Sequence, residues 1–243
     1  METTTSVDGT TIAYQRAGRG PALLLMHDGV SDHTRRKPIL PAVEGRFTVY
    51  AMDRRGRGGS GDGTSYAIER EFEDIAAVAG AIGETVNLIA HSFGAVCALG
   101  AANLTKDLRT LILYEPPPVA VEGLLSPASD ARLQALMDQG DRAGMVTTFM
   151  RGVAAIPPRE LEMLQALPSW SGRVDAAHTI SGRFTPSEAT LHTNPGSCVA
   201  SRCRSCCWWA GIAPRCTPAT STCCIPCCRT AGSRPCPVSN IWR

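Results

Sequence analysis

The sequence predicts an α/β protein with a doubly wound, mostly parallel sheet, and three observations carry that expectation. Two short runs, Pro21–Met26 and Phe47–Met52, are apolar at nearly every position, as strands covered on both faces are. Residues 66–82 place Ile68, Phe72, Ile75, Val78, Ala79 and Ile82 on one side of a helix. Strands and helices alternate through short polar turns, which is the pattern of parallel strands joined by helical crossovers.

Taken in order, residues 7–17 read as an edge hairpin, with an Asp8-Gly9 turn and alternation over Thr11–Tyr14. Pro21–Met26 ends in His27-Asp28-Gly29, and Phe47–Met52 ends in Asp53-Arg54-Arg55-Gly56-Arg57-Gly58. After the helix at 66–82 comes a strand, Val86–Ala90, then a small-residue helix, Ala95–Ala102. A further strand, Leu108–Tyr114, ends in Glu115-Pro116-Pro117-Pro118. Catalytic groups of such a sheet belong at the carboxyl ends of its strands, where His27-Asp28-Gly29, Asp53, Ser92 and Glu115 all fall.

Ala90-His91-Ser92-Phe93-Gly94 joins a strand to a helix around a central serine. That is the setting in which G-x-S-x-G becomes a nucleophile elbow. Small residues are needed on both sides because the turn is strained and the following helix packs close. Gly94 keeps the second glycine, and Ala90 replaces the first at mild steric cost. Ser92 is the candidate nucleophile, held at a helix N-terminus where backbone N–H groups stabilise an oxyanion. A buried serine in an ordinary strand-to-helix turn is the structural alternative.

These three motifs, in this order and spacing, resemble the N-terminal half of α/β-hydrolase-fold enzymes, over residues 7–118. The resemblance implies Ser92 as nucleophile, with the N–H groups of Phe93 and Gly29 as the oxyanion hole. Asp28 stands where that family usually has glycine, so its carboxylate must point away from the oxyanion. Glu115 occupies a position from which some members supply the acid and is the secondary candidate here. His91 is adjacent to Ser92, but neighbours on such a turn point apart, so it is assigned to packing. Asp53 is assigned to ordering its loop.

Residues 119–180 break the alternation. Leu133, Leu136 and Met137, then Met145, Val146, Phe149, Met150 and Val153, and then Leu161, Met163, Leu164 and Leu167 have helical spacing. Pro157-Pro158 and Pro168 separate the segments. The resemblance makes this region a helical cap over an apolar substrate cavity, giving an expected division into 1–118, 119–180 and 181–243. His178 falls near the end of the cap, as a cap or surface residue.

The last region differs in composition. Residues 198–243 hold six arginines, no Asp, Glu or Lys, and ten of the eleven cysteines. The overall net charge is +2, so the preceding 197 residues are net negative. Nothing in that balance calls for a nucleic-acid partner. No apolar run approaches the ~20 residues of a membrane span, and Met1–Thr5 has neither a basic nor an apolar leader region. The expectation is a cytoplasmic protein with a small-molecule substrate and no cofactor; the oligomeric state is left open.

The family's order of triad residues is Ser, acid, His, with the last two after later strands. None of the five histidines, His27, His33, His91, His178 and His192, follows a recognisable final strand. Residues 198–243 show neither strand nor helix periodicity. Cys203-x-x-Cys206 and Cys224-x-x-Cys227 have the spacing of a zinc site, although six other cysteines of the tail would be surplus. A disordered cysteine-rich extension is a further reading.

A reading-frame slip explains the tail differently, and the genetic code tests it. Begin each codon one base earlier. Cys206-Cys207 and Cys207-Trp208 then each force Leu, Trp208-Trp209 forces Val, and Trp209-Ala210 forces Gly. With permitted third bases, Cys203–Pro214 becomes Pro-Phe-Leu-Leu-Leu-Val-Gly-Gly-Asp-Ser-Pro, a buried strand running into an acidic loop. Pro235–Trp242 permits Leu-Pro-Gly-Gln-Gln-His-Met, a turn of the kind that carries the family's histidine; Asn240-Ile241 allows only His or Tyr at that point. The slip falls between about Thr179 and Cys203, and residues 198–243 are then expected not to fold natively.

Overall fold

The computed structural model describes residues 1–117 and 126–180. Its centre is a six-stranded sheet of β1 (Glu2–Thr5), β2 (Thr11–Gly18), β3 (Ala22–Met26), β4 (Thr48–Met52), β5 (Val86–His91) and β6 (Leu108–Tyr114). Their spatial order is β1-β2-β4-β3-β5-β6. β2 is antiparallel to both β1 and β4, and the remaining neighbours are parallel. The hairpin is longer than the sequence suggests. Glu2–Thr5 pairs with Thr11–Tyr14, and the turn spans Ser6–Thr10, with Gly9 at φ 86°. Three consecutive threonines carried no apolar alternation, so only the pairing reveals that strand.

β3 and β4 are buried at all five positions, as their uninterrupted apolar runs require. β5 alternates instead. Val86, Leu88 and Ala90 enter the main core, while Asn87, Ile89 and His91 are half-buried on the opposite face. Leu40–Val43 (α1) lies on that opposite side, where Leu40 and Val43 pack with Leu23, Leu25 and Val49.

The main core lies under α2 (Ile68–Ile82) and α3 (Phe93–Ala101). The apolar stripe of α2 is buried as its spacing predicts, and Gly83 ends the helix in the left-handed conformation at φ 77°. The two helices approach closely where the Phe72 ring lies over Gly100, a position at which a Cβ would come within 2.5 Å of the ring. A second helical layer follows: α4 (Pro127–Asp138), α5 (Arg142–Gly152), α6 (Pro158–Gln165) and α7 (Trp170–Asp175). Ser126 and Asp141 accept from backbone N–H groups as N-caps of α4 and α5, and α4 and α6 begin with proline at the first helical position. Leu133, Met145, Val146 and Leu161 anchor this layer to the core. Among the described residues no helix is long and apolar enough to cross a membrane.

Candidate active site

Ser92 stands between β5 and α3 with φ 52° and ψ −126°, a conformation L-residues adopt only under constraint. Two neighbours over-determine it. The Ser92 N–H donates to the Tyr114 carbonyl at 2.9 Å, fixing the turn to the end of β6. Gly94 lies so close to the end of β3 that a Cβ there would overlap the His27 carbonyl oxygen and come within 2.8 Å of Met26 Cγ. Ala90 is fully buried and accommodated. Gly94→Ala is therefore expected to lower stability by about 1–3 kcal/mol, as overpacked cores do; a denaturant midpoint unchanged from wild type would contradict this contact.

The loop after β3 faces the same turn, because Met26 pairs with Ala90. The Asp28 carboxylate turns back on its own loop, accepting from the Val30 N–H at 3.0 Å and the Ser31 hydroxyl at 2.7 Å. Arg35, Arg173 and His91 surround it at 3.7, 3.9 and 3.7 Å. Burial pushes its carboxyl up, but the neighbouring His91 ring and the Arg173 charge prevail and hold it well below the usual carboxylate range. Gly29 is buried, and its carbonyl accepts from both Nε and Nη2 of Arg57, at 3.0 and 2.7 Å.

Each described histidine is engaged elsewhere. His27 is fully buried; its Nε2 accepts from the Arg54 N–H at 3.1 Å, which leaves Nδ1 to donate to the Asp28 carbonyl at 2.8 Å. Burial, then the Arg54 and Arg57 charges, push its pKa down to about 3, so the ring is neutral. His91 lies 3.7 Å from Asp28 and 3.6 Å from Glu115, with its ring 5.1 Å from that of Tyr114. Glu115 itself is exposed, at φ 48° just beyond β6. His178 lies 3.3 Å from Asp62. Among the described residues no side chain hydrogen-bonds the Ser92 hydroxyl. His192 and the four cysteines Cys203, Cys206, Cys224 and Cys227 lie outside the described residues.

Asp53 is buried and tied to its loop: it accepts from the His33 N–H at 2.7 Å, from His33 Nδ1 at 2.9 Å and from the Gly59 N–H at 2.9 Å. Asp32, His33 and Asp53 are close enough to hold an ion, but these hydrogen bonds already use the oxygens of Asp53, and Asp32 caps Thr34. The Asp53 hydrogen bond raises the pKa of His33 against the effect of burial. A raised folded-state pKa contributes stability that is complete below the unfolded value of 6.5 and lost as pH rises through the folded value. The melting temperature of wild type should therefore exceed that of His33→Gln by more at about pH 5.5 than at about pH 9. A gap independent of pH would refute the assignment.

Residue-level reading of the sequence missed the groups that lock these loops together. Arg54 is fully buried, donating to Glu71 of α2 at 2.6 and 2.7 Å and to the Asp28 carbonyl at 2.9 Å, with its guanidinium carbon 4.8 Å from the centre of the Phe93 ring. Arg55 forms the same kind of pair with Asp74, at 2.7 Å for both bonds. Arg173, from α7, donates to the Val30 carbonyl and the Ser31 hydroxyl, both at 3.0 Å. The available signal was Glu71 and Asp74 sitting among the apolar positions of α2, which demands buried cationic partners.

A model of the alpha/beta hydrolase family matches residues 23–215. The solved structure of an alpha/beta hydrolase from Sphaerobacter thermophilus is 35% identical, covers 88% of this chain and 83% of its own, and superposes with a TM-score of 0.73. The 2-(acetamidomethylene)succinate hydrolase of Mesorhizobium japonicum is 31% identical over 130 residues, 51% of this chain and 46% of that protein. The match thus spans less than half of that relative's length. The bottromycin epimerase BotH, in complex with bottromycin A2, shares the fold at 22% identity and a TM-score of 0.58, covering 87% of this chain and 90% of its own.

Proposed function

The chain belongs to the alpha/beta hydrolase family, and from that membership we propose that it is by descent a serine hydrolase of a small ester- or amide-type substrate, with Ser92 as nucleophile. The observation that carries the proposal is the constrained backbone of Ser92, φ 52°, at a strand-to-helix junction that Gly94 alone allows to pack against His27. In the mechanism this supports, Ser92 Oγ attacks the acyl carbonyl and its proton passes to a histidine base oriented by an acid. The oxyanion accepts from the N–H groups of Phe93, at the start of α3, and Gly29. The folding of Asp28 back onto Ser31 supports this, because it turns the carboxylate toward cations and away from a free approach to the oxyanion. Residues 119–180 serve as the cap. The named activity of the M. japonicum relative makes small carboxylated amides the first substrates to try.

The base and acid are the missing part. We assign residues from about Cys203 onward to a shifted reading frame, so the chain as written is catalytically impaired. The forced codons extend beyond the strand-like run. In the earlier frame Thr222-Cys223, Cys223-Cys224, Pro226-Cys227 and Cys227-Cys228 each encode Leu, Val or Met whatever the third base. Apolar residues at i, i+1, i+4 and i+5 have helical spacing, and they fall between the acidic loop and the histidine turn. Leucine codons read one base out of register also account for the density of cysteine.

The second reading, favoured by the two C-x-x-C pairs, is a non-catalytic protein with zinc on Cys203, Cys206, Cys224 and Cys227. Metal analysis of the purified chain separates the two. Reactive thiols and less than about a tenth of an equivalent of zinc are expected under the frame reading, whereas one tightly held zinc per chain would replace it with the second.

A further inference from the structure

The turn after the β3 loop carries a cation with no counter-ion. Arg36 closes the short helical turn His33–Arg36 and is half-buried. Its Nη2 donates to the Met26 carbonyl, the last residue of β3, so the guanidinium sits on the carboxyl end of the strand that pairs with the Ser92 strand. Its Nε is buried without a hydrogen-bond partner. The other arginines of this end of the molecule are provided for. Arg54 and Arg55 have Glu71 and Asp74, Arg57 has the Gly29 carbonyl, and Arg35 and Arg173 share Asp28. Among the described residues no carboxylate lies within ion-pair distance of Arg36. Asp28 acts on it only at longer range, and burial draws its pKa down to about 10.

A guanidinium stripped of part of its water and left unpaired costs free energy that an anion at the site would recover. Its planar fork suits a carboxylate. We propose that Arg36 is the anchor for a carboxylate of the substrate, so that the hydrolysed ester or amide is one end of a molecule whose other end is a free carboxylic acid. The proposal rests on Ser92 as the reacting centre, since Arg36 occupies the same end of the sheet. It gives a role to an arginine that lacks a counter-ion at this end of the sheet: it selects charged acyl compounds over neutral ones of the same size.

The test is direct binding, which does not depend on turnover. Succinate is titrated into the full 243-residue chain, with succinamide as its uncharged counterpart. Succinate is expected to bind at least about tenfold more tightly than succinamide, and Arg36→Met should remove that preference, with an unchanged circular-dichroism spectrum reporting the fold. Arg36→Lys, which keeps the charge, should retain part of it. Equal binding of the two compounds, no binding of either, or an equal loss in Arg35→Met would overturn the anchor, the last by showing a diffuse field rather than a site. Ser92 is read separately, by its modification with a fluorophosphonate in a frame-restored chain. Arg36-dependent succinate binding without that modification would leave the anchor standing and remove the nucleophile.

Discussion

Restoring the reading frame upstream of Cys203 should raise kcat/KM for a simple phenyl ester by about 10⁴-fold or more over the 243-residue chain. The size follows from how the reacting groups work together. On the proposed mechanism, Ser92 without a base to take its proton would be a weak nucleophile, leaving only the oxyanion donors and binding. The same logic makes a second, non-additive expectation. Ser92→Ala should return the restored protein to the level of the chain as written, yet change that chain hardly at all, because the proposed reading has one member of the unit already absent. Substantial Ser92-dependent turnover by the unrestored chain would overturn the account of its tail. Full activity of Ser92→Ala in the restored protein would overturn the nucleophile.

The second large effect is on stability. Arg54→Met should cost about 3 kcal/mol, because it takes the two-bond guanidinium partner from a buried Glu71 carboxylate and leaves it with the Tyr66 hydroxyl at 3.2 Å and Arg57 at 3.9 Å. Arg54 also ties the Asp28 carbonyl, the Phe93 ring and, through its backbone N–H, His27. The two candidate oxyanion donors thus share one support. Removing both charges should cost less than removing one: Arg54→Met combined with Glu71→Leu is expected to fall well short of the sum of the single losses. Urea midpoints of the three variants measure this, and additive losses would show that the pair is not coupled.

The β3 and β4 runs, the stripe of α2 and the strand-to-helix turn at Ser92 were legible because each is a local pattern. An uninterrupted apolar run needs cover on both faces, and a helix repeat needs one. Glycine at position 94 was legible for the same reason, although the carbonyl it accommodates was not. β1 was illegible, since Glu2–Thr5 owes its conformation to the ladder with β2 rather than to its own threonines. The neutral state of His27 depends on two loops meeting, at positions 27 and 54.

By itself the sequence determined the α/β class, the succession of parallel strands from Ala22 to Tyr114, the serine at the helix start and the break in character of the tail. Each follows from the chemistry of neighbouring residues, or from the code that specifies them. Only the tertiary structure decided which charges are paired. Arg36, Arg54 and Arg173 are alike as letters, yet one lacks an anion, one is saturated by Glu71 and one reaches 143 positions back to Val30. Electrostatic partnership is set by distance in space and by removal from water, and neither quantity is written along the chain.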